Sequence, residues 1–214
     1  MTSYDFDLQQ CIDSLKNKRR VFHSEADFQF ALAWEIKLAY PEAEVRLEYC
    51  PKLAPKMHLD LIVNRDGLRF PIELKYKTKG FEWSSANEAF HLKSHGAQDI
   101  GKYDCLIDIM RIEQLSTILP DFGLGYVVWL TNDASYWNPL KKCDAICKDF
   151  SLHEGIRKSG SMHWAANAGS GTTKNREQEI LLQGTYQIHW HDYSSFTQHK
   201  NGNFRYVLVE IAKT

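Results

Sequence analysis

With 214 residues, 43% of them hydrophobic and six of them tryptophan, the chain can bury one substantial core, and a single domain is expected. A formal net charge of −1 provides no overall field to attract a polyanion, which argues against a strong non-specific nucleic-acid binder and leaves any phosphate contact to a local patch. No run approaches the ~20 apolar residues of a membrane span. The start, MTSYDFDLQQ, has no charged-then-apolar leader, and the five scattered cysteines form no disulfide framework, so a soluble, cytoplasmic protein with free thiols and no membrane partner is expected.

In chain order, Phe6, Leu8, Ile12 and Leu15 predict a short peripheral helix ending before Arg20. Ser24 is a good N-cap for a second helix over 25–39, with Phe28, Leu32, Ile36 and Ala39 at core spacing before Pro41 stops it. Glu25 falls in its first turn, where a carboxylate favours the helix dipole. A strand over 43–49 alternates Val45, Leu47 and Tyr49 against charged residues, and a loop, CPKLAPK, leads to the most informative stretch.

That stretch, 57–79, reads as a hairpin. Residues 57–63 alternate around Leu59, Leu61 and Val63, residues 68–76 set Ile72, Leu74 and Tyr76 opposite Glu73, Lys75 and Lys77, and Asn64-Arg65-Asp66-Gly67 supplies the turn. If the strands pair closely, Asp60 joins Glu73 and Lys75 on one side, two hard oxygen donors beside an ammonium, which suits a Mg²⁺ or Mn²⁺ ion. The bland alternative is a solvated polar face, but an acid inside the apolar run HLDLIV carries a desolvation cost unless it binds something.

Residues 78–95 show no convincing strand alternation and suggest a loop over the site, where Phe81, Trp83 and Phe90 either stack on bases or pack, and His91 and His95 stand four apart. A second main helix is expected over 97–119, with Ile100, Tyr103, Leu106, Ile107, Met110 and Leu115 as its apolar stripe and Lys102 and Arg111 as candidate phosphate contacts. Gly125–Thr131 reads as a buried central strand. The spacing of Cys143, Cys147, His153 and His163 matches no standard zinc finger, and GSGTTK lacks the spacing of a phosphate-binding loop, so 159–176 is expected to be flexible. Two strands, over 185–193 and 204–212, close the chain.

Asp60 followed by Glu73-Leu74-Lys75 resembles the core of the PD-(D/E)XK nuclease superfamily, although Leu59 stands where that motif often has proline. The resemblance covers about 21–132 and leaves 133–214 as an elaboration. It implies an α/β, restriction-endonuclease-like fold, a mixed central β-sheet flanked by α-helices, and a metal-dependent nuclease acting on DNA, with RNA not excluded. It further implies metal ligation by Asp60, Glu73, the carbonyl of Leu74 and the first-helix acid Glu25 in preference to Glu35. Lys75 would orient or deprotonate the attacking water. Gln98, with Tyr103, is similar to a glutamine–tyrosine motif of the helicase-nuclease and lambda-exonuclease branch, which would put Gln98 at the site; otherwise it is a polar helix start. Many nucleases of this fold pair their active sites, so a homodimer is a further expectation. A non-catalytic nucleic-acid-binding or assembly module on the same fold is the alternative.

Overall fold

The computed structural model describes residues 5–140 and 145–213. In chain order the main elements are α1 (Leu8–Lys18), α2 (Glu25–Ala39), β1 (Glu44–Tyr49), β2 (Leu59–Arg65), β3 (Leu68–Lys77), β4 (Phe81–Ser84), β5 (Ala89–Leu92), α3 (Gln98–Ile118), β6 (Leu124–Thr131), β7 (Arg157–Met162), α4 (Ser170–Thr173), β8 (Ile180–Gln187), β9 (Trp190–Ser195) and β10 (Asn203–Ala212). The chain is α/β. Its frame is a mixed six-stranded sheet in the order β1-β2-β3-β6-β10-β9, in which β3 and β6 run parallel and the other neighbours antiparallel.

Local chemistry explains the elements around the site. The Ser24 side chain accepts the Asp27 N–H and starts α2 where the capping pattern predicts. Asp66 and Gly67, both left-handed at φ 50° and 73°, make the tight turn that fixes the β2–β3 register from Arg65–Leu68 to Leu61–Ile72. Parallel pairing of β3 with β6 needs a crossover, and α3 supplies it.

Two apolar layers sandwich the sheet. One packs α1 and α2 against Leu61, Val63, Ile72, Leu74, Tyr126 and Val128; the other packs α3 and the β7–β8 hairpin against Ile62, Val127, Trp129, Val207 and Val209. Gly125 allows α3 its close approach, since a Cβ there would lie 2.2 Å from Ile112 Cγ2.

Several expectations are corrected. The first helix is not peripheral: Leu8, Cys11, Ile12 and Leu15 are buried, because the sheet face bearing Tyr126 and Val128 needs that cover. Ala39 is exposed. Residues 81–92 form a β-hairpin, β4 with β5, and not a loop. The strand expected over 185–193 breaks near Ile188, its first part pairing with β7 and its second with β10. The start of the expected flexible loop is strand β7. Strands β9 and β10 complete the central sheet from the C-terminal side. Among the described residues, no helix is long and apolar enough to cross a membrane.

Candidate active site

The site lies where β2 parts from β3. Their ladder stops at Leu61–Ile72, while β2 continues to Leu59 alongside β1 and β3 continues to Lys77 alongside β6. From Glu73 onward one edge of β3 therefore lacks a strand, and its N–H groups need other acceptors. Two carboxylates supply them. Asp60 Oδ2 accepts the Leu74 N–H at 2.6 Å, and Glu25 Oε2 accepts the Tyr76 N–H at 2.8 Å. One turn along α2 from Glu25, Gln29 donates to the Asp60 carbonyl at 2.7 Å and to Glu48 Oε1 at 2.9 Å. Glu48, beside this fork, holds a left-handed φ of 49°, a conformation costly for a residue with a Cβ.

On the α3 face, Glu73 and Lys75 meet Asp108, which nothing in the sequence marks as a site residue, and Arg111, expected there only as a phosphate contact. Lys75 Nζ lies 3.1 Å from Asp108 Oδ2 and 3.9 Å from Asp60 Oδ2, and it donates to the Leu74 carbonyl at 3.1 Å. Arg111 bonds Asp108 Oδ1 at 3.2 Å and the His58 carbonyl at 2.6 Å, and its Nη2 stands 3.1 Å from Glu73 Oε1. That last contact is poorly aligned, so Glu73 Oε1 is buried without a hydrogen bond. Glu73 is 1% exposed. Burial and the neighbouring Asp108 push its carboxyl up to about 9 against the pull of Arg111. Burial likewise raises Asp108 despite Lys75 and Arg111. Burial pulls the Lys75 ammonium down, but Asp108, Asp60, Glu73 and Glu25 outweigh it and hold its pKa above the ordinary lysine range. Surrounded by acceptors, Lys75 is a donor and a fixed positive charge in this arrangement.

Asp60, Glu73, Leu74, Lys75 and Glu25 thus gather at one fork. Gln98 sits elsewhere: its amide donates to Asp133 Oδ2 at 3.1 Å, beside Lys79, whose Nζ is 3.4 Å from the same carboxylate. Lys79 lies past the end of β3, four residues beyond Lys75. Lys102 is buried against the Tyr136 ring, too deep to meet a phosphate, and Arg111 serves the carboxylates. Glu35 pins α1 to α2 through Ser14 and Lys18. Phe81 and Phe90 are buried, so they pack; Trp83, half-buried, stacks on Phe90. His91 lies on β5 and His95 beyond it, so they share no helix. Of the cysteine–histidine set, Cys143 lies outside the described residues, while His153 bonds Ser151 and His163 bonds Ser161.

Beside Glu25 opens a cleft of about 330 Å³ between the start of α2 and the β4–β5 hairpin. Its walls carry Lys77, Lys93, His23, His91 and His95. Glu25 lines it too and His23 pairs with Glu88, but among the described residues neither Lys77 nor Lys93 has a carboxylate partner, so the two lysines leave the cleft a small positive excess on a chain of net charge −1.

Among the described residues, no group of three or more His, Cys, Asp or Glu side chains is arranged to hold a metal ion. The donors at the fork are instead two carboxylates, Asp60 and Glu73, with the Leu74 carbonyl. All are hard oxygens, and the unbonded Glu73 Oε1 is an acceptor lacking a donor, a set that fits a magnesium-like ion retaining most of its waters. Comparison with known protein families and with curated proteins finds no match to this chain.

Proposed function

We propose that the chain is a divalent-metal-dependent nuclease of the PD-(D/E)XK type, with a restriction-endonuclease-like core, that hydrolyses DNA phosphodiester bonds. One observation carries the reading: the open edge of β3 seats Asp60 on the Leu74 N–H, with Lys75 Nζ 3.9 Å from that carboxylate and the buried acid Glu73 on the same strand. Two acids, a carbonyl and an ammonium at a strand fork are what phosphodiester hydrolysis asks of a protein, and the adjacent cationic cleft offers a path for the phosphate backbone.

Asp60, Glu73 and the Leu74 carbonyl would hold Mg²⁺ or Mn²⁺, with Glu25 behind them. When bound, such an ion polarises the scissile phosphate and lowers the pKa of a coordinated water. The remaining work belongs to the chain. The Leu74 N–H fixes the rotamer of Asp60, and Gln29 fixes the backbone from which Asp60 projects. Lys75 orients water by donating to it and offsets charge developing on the phosphate. Asp108 keeps the Lys75 ammonium in place.

Titration calorimetry with Mn²⁺ tests the reading: wild-type protein is expected to bind, and Asp60→Ala and Glu73→Ala to lose binding. A wild-type protein that binds neither Mn²⁺ nor Mg²⁺ would favour the second reading, a non-catalytic nucleic-acid-binding or assembly module, which draws on Arg111 standing beside Glu73 where a metal would compete with it.

A further inference from the structure

The outward face of α2 is unusual for a surface helix. Ala26, Phe30, Trp34 and Leu38, each one turn after the last, form a continuous exposed ridge. Phe30 is 62% exposed, Trp34 69% and Leu38 53%. The inner face, with Phe28, Leu32 and Ile36, is spent on the core, so α2 is apolar on both sides. The remaining exposed charge on this face, Lys37, folds back onto the helix end, bonding the carbonyls of Pro41 and Ala43. Nothing on the ridge therefore repels an apolar partner.

We infer that this ridge is the contact between two copies of the chain, paired antiparallel through α2. An isologous contact demands a surface complementary to itself. Ridges along every fourth residue can seat in the grooves of a facing helix. Laid antiparallel beside its own copy, the ridge brings Phe30 next to Trp34 of the second copy and small Ala26 next to bulky Leu38. The area is consistent. At about 150–250 Å² for a large side chain, the three exposed apolar residues present about 350–400 Å² per copy. Two copies then bury roughly 1,000 Å² once Ala26 and the Lys37 stem are included, at the threshold of a specific interface. The dimer is accordingly weak and concentration-dependent. This contact lies on the opposite face of the sheet from α3 and does not depend on the nuclease reading.

Sedimentation equilibrium over a hundredfold concentration range, reaching hundreds of micromolar, tests it. The wild-type protein is expected to pass from one to two chains per particle. Trp34→Lys, at a site outside the core, is expected to raise the dimer dissociation constant by about 30-fold or more. Leu181→Lys, at another exposed apolar residue but on β8, is expected to leave it unchanged. Matching far-UV circular dichroism and melting curves establish that both variants fold. A wild-type protein that stays monomeric would overturn self-pairing and assign the ridge to a different occupant, and a dimer indifferent to Trp34→Lys would place the interface elsewhere.

Discussion

Arg111 is the support on which the buried acids of the fork depend, and removing it has a calculable cost. Its guanidinium bonds Asp108 and stands 3.1 Å from Glu73, and both acids are nearly inaccessible to water. Breaking a fully buried ion pair costs about 3–5 kcal/mol. The Arg111 side chain is 27% exposed and Lys75 still faces Asp108, so Arg111→Met is expected to cost about 2–4 kcal/mol. For a domain of this length that corresponds to a fall of about 5–15 °C in melting temperature. Asp108→Asn is expected to cost about 2 kcal/mol, because Lys75 keeps Asp60 while losing its nearer partner. In the double variant the arginine and the aspartate no longer miss each other. Its destabilisation should therefore fall short of the sum by about 1–2 kcal/mol. Urea titrations of the four proteins at neutral pH measure each free energy. Additivity within about 0.5 kcal/mol, or an Arg111→Met protein as stable as wild type, would refute the argument.

Other perturbations probe separate parts of the structure. Burial of Lys158 lowers its pKa from 10.5 to about 8, so between those values the unfolded chain binds one more proton than the folded one and stability rises with pH. The variant Lys158→Met should therefore be the more stable protein at pH 7, and its advantage over wild type should shrink by up to ~1.4 kcal/mol per pH unit as denaturation is repeated at higher pH across this window. Buried Glu113 clamps β8 to α3 by accepting from the N–H groups of Gln183 and Gly184 and from the Tyr186 hydroxyl. Glu113→Ala strands three donors and is expected to cost about 3–5 kcal/mol, against about 1 kcal/mol for Tyr186→Phe, in urea denaturation. Gly125→Ala should cost about 1–3 kcal/mol by the same assay, since its methyl meets Ile112. In DNA-binding titrations, replacing Lys77 and Lys93 with alanine should weaken affinity and flatten its salt dependence by about two counterions' worth, while thermal stability stays within about 0.5 kcal/mol.

Residue patterns reveal elements whose period and caps agree, and obscure those whose fate depends on a distant surface. The α2 boundaries follow from Ser24 and Pro41, and the β2–β3 hairpin from alternation about Asp66-Gly67, all of them local signals. Strands β4 and β5 have four residues each, too short for a period to stand out, and their hairpin is held by Phe81 and Trp83 packing on Phe196 from far along the chain. The first helix reads as peripheral because nothing local shows that the sheet needs covering. Of the candidate site, Asp60, Glu73 and Lys75 stand out in the sequence because charged residues interrupt apolar strands. Asp108 is one of several charged residues on α3, so it does not stand out, and its meaning appears only once α3 is seen to face β3. Gln98 shows the reverse: it starts α3 as expected, yet the helix runs so that Asp108, not Gln98, meets Lys75.

Nuclease activity is read out by incubating plasmid, linear duplex and single-stranded DNA with Mg²⁺ or Mn²⁺ and wild-type, Asp60→Ala or Lys75→Ala protein. Metal-dependent cleavage is expected from the wild type, and both substitutions should abolish it while the variants remain folded. Cleavage that survives in folded Asp60→Ala protein, or none by the wild type on any of these substrates, would overturn the nuclease reading.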